Sequence, residues 1–216
     1  MKPGTRVFVS HIEGTRTTED YVALFSDVEQ KRRFQSPLPV FTSDNWDPIK
    51  DALLRVYGVI EQPVYKGRGR KPFPRLVPSS TLRYAQVCKK KKKGRIVEVV
   101  QRVVFGDPEE VMHLLGADED GTINTAYVER LNLTFRNSLA RFIRRTMNFS
   151  KEIRMHSHAI DFFKAWYNLV KPHKSLRVRV DDGKRKWMQR TPLMAEGLTD
   201  HVWTLEELLT FKVPFQ

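Results

Sequence analysis

Residues 40 to 58 run Val40-Phe41-Thr42-Ser43-Asp44-Asn45-Trp46-Asp47-Pro48-Ile49-Lys50-Asp51-Ala52-Leu53-Leu54-Arg55-Val56-Tyr57-Gly58. The short apolar run Val40-Phe41-Thr42 ends in the polar Ser43-Asp44-Asn45 and reads as a strand. Pro48 then opens a helix through Ala52, Leu53, Leu54 and Val56, which Gly58 closes. Upstream, Thr5 to Ile12 carries β-branched and aromatic residues in partial alternation and predicts another strand, ended by Gly14. Between the two, Thr17 or Thr18 caps a helix with Glu19 and Asp20 in its first turn. Its apolar positions are Tyr21, Leu24, Phe25 and Val28, and Lys31-Arg32-Arg33 marks its end. Strand, helix, strand and helix in succession predict an α/β layer structure. That order sets Asp44 just past the carboxyl end of a strand, where open sheets carry ligands and catalytic groups.

Downstream the composition changes. Between residues 61 and 80, Pro63, Pro72, Pro74 and Pro78 alternate with Lys66, Arg68, Arg70, Lys71 and Arg75, which predicts an extended basic loop. Arg68 and Arg70 in Gly67-Arg68-Gly69-Arg70 suit a DNA minor groove, and a solvated linker fits the same residues. Leu82 to Cys88 and Arg95 to Phe105 predict two strands around a tip of lysines from Lys89 to Lys93. That tip is either a phosphate grip or a charged loop that keeps the hairpin soluble. Leu131, Phe135, Leu139 and Phe142 form one apolar stripe, which predicts an amphipathic helix. On it Glu129, Asn132 and Arg136 recur at i, i+3 and i+7. Seven residues advance the helix roughly 700° and ~10.5 Å, so Glu129 and Arg136 share a face. Two readings stay open for Glu129: a first-turn carboxylate favoured by the helix dipole, or a metal ligand beside a DNA-backbone grip. A long helix is predicted from Ser150 to Lys171, with Ser150 as cap, Ile153, Ile160, Phe163, Tyr167 and Val170 as core face and Pro172 as stop. A last short helix follows Thr204. His156 and His158, at i and i+2, fall on different faces and do not make a metal pair.

Composition bounds the function. The 216 residues carry 38 Lys and Arg against 25 Asp and Glu, a formal charge of +13, so nucleic acid is the first partner to consider. With 40% hydrophobic residues the chain has enough apolar mass for a folded core. Cys88 is the only cysteine, which excludes an internal disulfide and any zinc site that needs two thiolates. No run approaches the ~18 apolar residues of a membrane span and no apolar leader follows Met1. These features predict a cytoplasmic, nucleoid-associated protein with no membrane partner.

Several strings together carry a resemblance. NTAYVERLNLTFR at residues 124 to 136, FSK at 149 to 151, WYNLVKPHKSLR at 166 to 177 and TPLMAEGLTD at 191 to 200 resemble bacterial insertion-sequence transposases of the IS-one type, which are DDE recombinases. TSDNWDPIKDALLRVYG at 42 to 58 resembles the family's second-aspartate segment, Gly14-Thr15-Arg16 its Gly-x-Arg element, and LRYAQVCK at 82 to 89 the strand before its glutamate helix. Asn45 stands where the family often has Gly, and Ile49 where it often has Tyr.

The resemblance implies a ribonuclease-H-like α/β core with a helical C-terminal part. It would divide as residues 1–60 (first part of the core), 61–80 (basic loop), 81–171 (second part) and 172–216 (extension). It implies Asp44 and Glu129 as catalytic, metal-binding acids for Mg²⁺ or Mn²⁺, a two-ion site in the intact family. Arg130, Asn132, Arg136 and Arg141 would contact DNA, with Arg136 holding a phosphate through its planar guanidinium. Partners would be double-stranded DNA, as transposon ends and target, and further copies of the chain. The family's first aspartate has no counterpart among these residues, and its zinc-ribbon region is also missing. The expectation is therefore a 5′-truncated or frame-interrupted transposase that does not cleave DNA by itself. Two other functions fit the charge: a non-catalytic DNA-binding remnant or inhibitor, and an unrelated basic RNA-binding protein.

Overall fold

The structure is a computed structural model and describes residues 1–93, 95–116, 126–143, 147–180 and 186–212. Of the string NTAYVERLNLTFR, Asn124, Thr125 and the side chain of Tyr127 lie outside the described residues. The chain is mixed α/β with small sheets and forms two compact units, Ser10–Thr125 and Met1–Val9 with Ala126–Gln216. No described helix is long and apolar enough to cross a membrane.

In the first unit, α1 (Thr18–Gln30) begins in a capping box: Thr17 accepts from the Asp20 backbone N–H and Asp20 accepts from that of Thr17. A Cβ on Gly14 would stand 2.4 Å from the Asp20 carboxyl group held in that box, so the turn into α1 needs glycine there. Strand β1 (Phe41–Asp44) leads into α2 (Asp47–Tyr57), which has a proline in its first turn as expected. Two short strands, β2 (Gly58–Glu61) and β3 (Arg75–Pro78), pair antiparallel and close the basic segment at its base, where a wholly extended loop was predicted. Strand β4 (Tyr84–Lys92) pairs parallel with β1 and antiparallel with β5 (Arg95–Phe105), in the order β1-β4-β5.

Strand β4 is the centre of this sheet and is covered on both faces. Leu82, Tyr84 and Phe105 pack with Leu53 of α2 and Phe25 of α1 on one face. Ala85 and Val87 pack on the other against Val111 and Met112 of α3 (Pro108–Leu114), a further helix beyond the expected elements, capped by Asp107. Of the lysines expected at a hairpin tip, only Lys93 is in the turn; Lys89 to Lys92 belong to the ladder, where Lys89 pairs with Val99 and Lys90 with Glu98. Long methylene stems and a cross-strand carboxylate let lysine occupy an exposed ladder position.

The second unit is built on α4 (Ala126–Ser138) and α5 (Ile153–Ala165), with Phe8, Leu131, Ile160, Phe163 and Tyr167 buried together. The predicted apolar stripe is intact, since Phe135, Leu139 and Phe142 pack on this cluster, but the helix stops at Ser138 and a single 3₁₀ turn, Ala140–Phe142, carries the last of them. Glu152, not Ser150, occupies the N-cap of α5, because Ser150 Oγ bonds His156 Nδ1 at 2.7 Å. Ile153, expected in the core, is 69% exposed. A π turn, Trp166–Val170, ends α5. The remaining elements are the two-residue pair β6 (Val178–Arg179) and β7 (Trp187–Met188), then α6 (Pro192–Ala195) and α7 (Leu205–Thr210), the last opened by a Thr204–Glu207 capping box.

The predicted strand Thr5–Ile12 does not form. Its backbone is satisfied by a side chain: Phe8 N–H donates to Asn168 Oδ1 at 2.9 Å and Asn168 Nδ2 donates to Phe8 O at 3.0 Å. The buried amide reproduces both bonds of a ladder pair, so no neighbouring strand is needed there. Asn168→Ala strands both groups of Phe8 and should lower stability by about 2–4 kcal/mol in urea unfolding followed by tryptophan fluorescence. Close by, burial pushes His173 down to about 4, and the Lys171 and Arg6 cations add to the effect. A base with a depressed native pKa stabilises fully above its unfolded value near 6.5 and loses that contribution as pH falls toward 4. The unfolding free energy from urea titrations should therefore fall between pH 7 and pH 4.5, by about 1–2 kcal/mol once solvent screening of the part-exposed ring is allowed for, and His173→Gln should flatten that segment of the profile.

Candidate functional site

Asp44 is the last residue of β1, opposite Val87 of β4, and is exposed. The register Phe41–Tyr84 through Asp44–Val87 makes the two strands run in one direction, so Asp44 lies at the carboxyl edge of the parallel pair. The surroundings of that edge come from three segments. Trp46 Nε1 donates to Arg16 O at 3.4 Å, tying the Gly14-Thr15-Arg16 turn to the end of β1. Arg16 takes a left-handed backbone, φ 67°. Burial raises the Tyr21 hydroxyl pKa; the Arg16 cation lowers it, and the Asp20 and Asp44 carboxylates raise it.

A chain of polar contacts crosses the sheet to the same edge. Ser43 Oγ and Tyr84 OH are 2.6 Å apart, and Gln86 Nε2 donates to Tyr84 OH at 2.9 Å. Gln86 Oε1 accepts from Arg102 Nε at 2.9 Å and from Nη2 at 2.6 Å, and Nη2 also donates to Asn45 Oδ1 at 3.0 Å. Tyr84 and Gln86 are fully buried, whereas Arg102 is exposed. Burial raises the Tyr84 pKa, although its Ser43 and Gln86 hydrogen bonds and the Arg102 cation oppose the rise. Sequence reasoning did not pick out Arg102 or Gln86. An amide between the apolar Ala85 and Val87 in a predicted strand was the available signal, since a buried amide needs partners.

Among the described residues, β4 has no strand partner beyond Val87 on its β1 side. Cys88 to Lys92 and Arg95 to Val100 continue as a two-stranded ribbon past the edge that holds Asp44. At ~3.4 Å per residue the ribbon reaches ~17 Å. It carries Lys89, Lys90, Lys92, Lys93 and Arg95, and Glu98, bound to Lys90 at 2.9 Å, is its one acid. Lys92, Lys93, Arg95 and Val97 line a cleft at its end.

The other predicted residues fall elsewhere. Arg68 and Arg70 are exposed on the loop closed by β2 and β3. Gly67 and Gly69 take φ of 78° and 86°, Tyr65 OH donates to Gly69 O at 3.1 Å, and the Arg70 guanidinium lies 4.6 Å over the Phe73 ring. Glu129, Arg130, Asn132 and Arg136 are all exposed on α4, with Glu129 in its first turn. Arg141 is partly buried, and its Nη1 donates to Met155 O at 3.0 Å, so it braces α5. Asp44 belongs to one compact unit and Glu129 to the other. Among the described residues no group of three or more His, Cys, Asp or Glu is placed to hold a metal ion.

No family model, no curated protein and no solved structure matches the chain. What its edge can do is therefore argued from its own chemistry: a carboxylate at a strand end, a fixed guanidinium reaching the next residue, and a cationic ribbon that extends further. Tyr84→Phe would leave the amide of the buried Gln86 without its acceptor. It should lower the unfolding free energy by about 1–2 kcal/mol, read from urea denaturation, with no shift in secondary structure by circular dichroism.

Proposed function

We propose that the chain is a DNA-binding recombination protein of the DDE-transposase type, with residues 41–105 contributing to a ribonuclease-H-like sheet. One observation carries this reading: an exposed aspartate ends a strand in parallel pairing, and a lysine-rich ribbon continues past that same edge. A two-stranded ribbon has the width of the B-DNA major groove, and its lysines match the phosphates along it. Asp44 and Glu129 are the acids that the resemblance supplies, and Mg²⁺ or Mn²⁺ the ions such oxygen donors would take. The described residues do not fit a complete ion pair, because neither acid stands in a group of three ligating side chains. The function that stands on these residues is therefore DNA binding, with no cleavage by this chain alone.

Fluorescence anisotropy with a labelled duplex of about 30 base pairs tests this. Affinity should fall steeply and log-linearly as salt rises from about 50 to 200 mM, and the duplex should stay intact with Mg²⁺ or Mn²⁺ present. Absent or salt-insensitive binding defeats the proposal. Strong metal-dependent nicking that disappears in Asp44→Ala defeats its second half, since the chain would then assemble a working centre.

A further inference from the structure

Most arginines with a defined partner in the first unit are neutralised. Arg32 pairs with Glu29, Arg55 with Glu19, Arg75 with Glu61 and Arg83 with Glu110. Arg102 is held in another way. Its Nε and Nη2 both donate to Gln86 Oε1, and Nη2 also to Asn45 Oδ1, so both of its partners are neutral amides. Among the described residues no carboxylate pairs with it, and its Nη1 donates no hydrogen bond.

The difference is chemical. A carboxylate would orient the guanidinium and cancel its charge together, whereas an amide oxygen orients it and leaves the charge in place. Gln86 is itself fixed, fully buried and bonded to Tyr84 OH, which contacts Ser43 of β1. A free arginine side chain loses substantial rotamer freedom on binding an anion, and here much of that loss is already incurred in the fold. The guanidinium is thus ordered, charged and exposed, bonded to Asn45, the residue that follows Asp44, and at the base of the lysine ribbon.

We infer that Arg102 is a phosphate-binding residue for a DNA strand lying across the Asp44 edge, and that Gln86 is its positioning residue. The inference rests on the DNA-binding reading above and adds a specific contact to it. With Nε and Nη2 engaged, the N–H groups of Nη1 are those that Arg102 offers to a phosphate oxygen, a charge-assisted contact that suits a phosphodiester.

Three substitutions on the full chain test it, read by anisotropy with the same duplex over a salt series. Arg102→Ala should raise Kd about tenfold at ~100 mM salt and reduce the slope of log K against log salt by about 0.9, the share of one phosphate. Gln86→Glu keeps the shape but sets a carboxylate under the guanidinium, so it should produce the same loss and the same slope change. Arg55→Ala, at an arginine already paired with Glu19, should stay within about twofold of wild type. A circular dichroism melt shows whether Gln86→Glu has folded. If it has not, Arg102→Ala decides alone, because its side chain is on the surface. Wild-type affinity and slope in Arg102→Ala overturn the inference while leaving the DNA-binding reading intact. No binding by the unsubstituted chain overturns both. An RNA of the same length bound more tightly than the duplex overturns the choice of DNA as partner.

Discussion

The parallel pairing of β1 with β4 is the constraint on which residues 10–125 depend. Four register pairs, Phe41–Tyr84 to Asp44–Val87, join segments about forty positions apart in the chain. A parallel connection requires a crossover, and α2 with the β2–β3 ladder fills it. The pairing holds because β4 is buried on both faces, with Leu82 and Tyr84 against the helices α1 and α2 and with Ala85 and Val87 against α3. Each of those side chains contributes roughly in proportion to the apolar area it loses to the interior, about 25 cal/mol per Å². Without that burial nothing would fix Asp44 at a strand end or give the ribbon a base from which to project.

Among the described residues each unit places one primary amide in its interior, for different purposes. Asn168 uses both its donor and its acceptor on the Phe8 backbone and so substitutes for a strand. Gln86 donates inward to Tyr84 and accepts outward from Arg102, and so connects core to surface. An amide suits both places because it is neutral. Burying it costs little once its bonds are made, whereas a carboxylate would carry a desolvation penalty and impose its charge on whatever it touched.

The local part of the fold was legible. Capping residues, proline positions and apolar period located α1, α2, α5, α7 and the two long strands, because those signals act within a few residues of one another. The failures are non-local. Thr5–Ile12 has strand composition, yet strand formation needs a partner edge, and the amide that replaces one lies 160 positions away. Helix α4 ends earlier than its apolar stripe because packing can bury Leu139 and Phe142 without helical hydrogen bonds. The acids Asp44 and Glu129 were singled out from pattern, whereas Arg102 and Gln86 were not, since their meaning comes from a cross-strand register that no local window contains.

The surplus of cations has a simpler reading that must be weighed against nucleic-acid binding. Lysines along an exposed ribbon keep it from pairing edge to edge with another chain, and that purpose is met by any cationic side chain carried on the edge. Lys89, Lys90, Lys92 and Lys93 satisfy it fully and so do not discriminate between the two readings. Arg102 does. Protecting an edge needs neither an ordered guanidinium nor a buried amide to hold it, and a residue serving only that end would be at least as well placed beside a carboxylate. The Ser43–Tyr84–Gln86–Arg102 chain commits two fully buried side chains to fixing one positive charge without neutralising it. Such an arrangement is what the phosphate contact proposed for Arg102 requires.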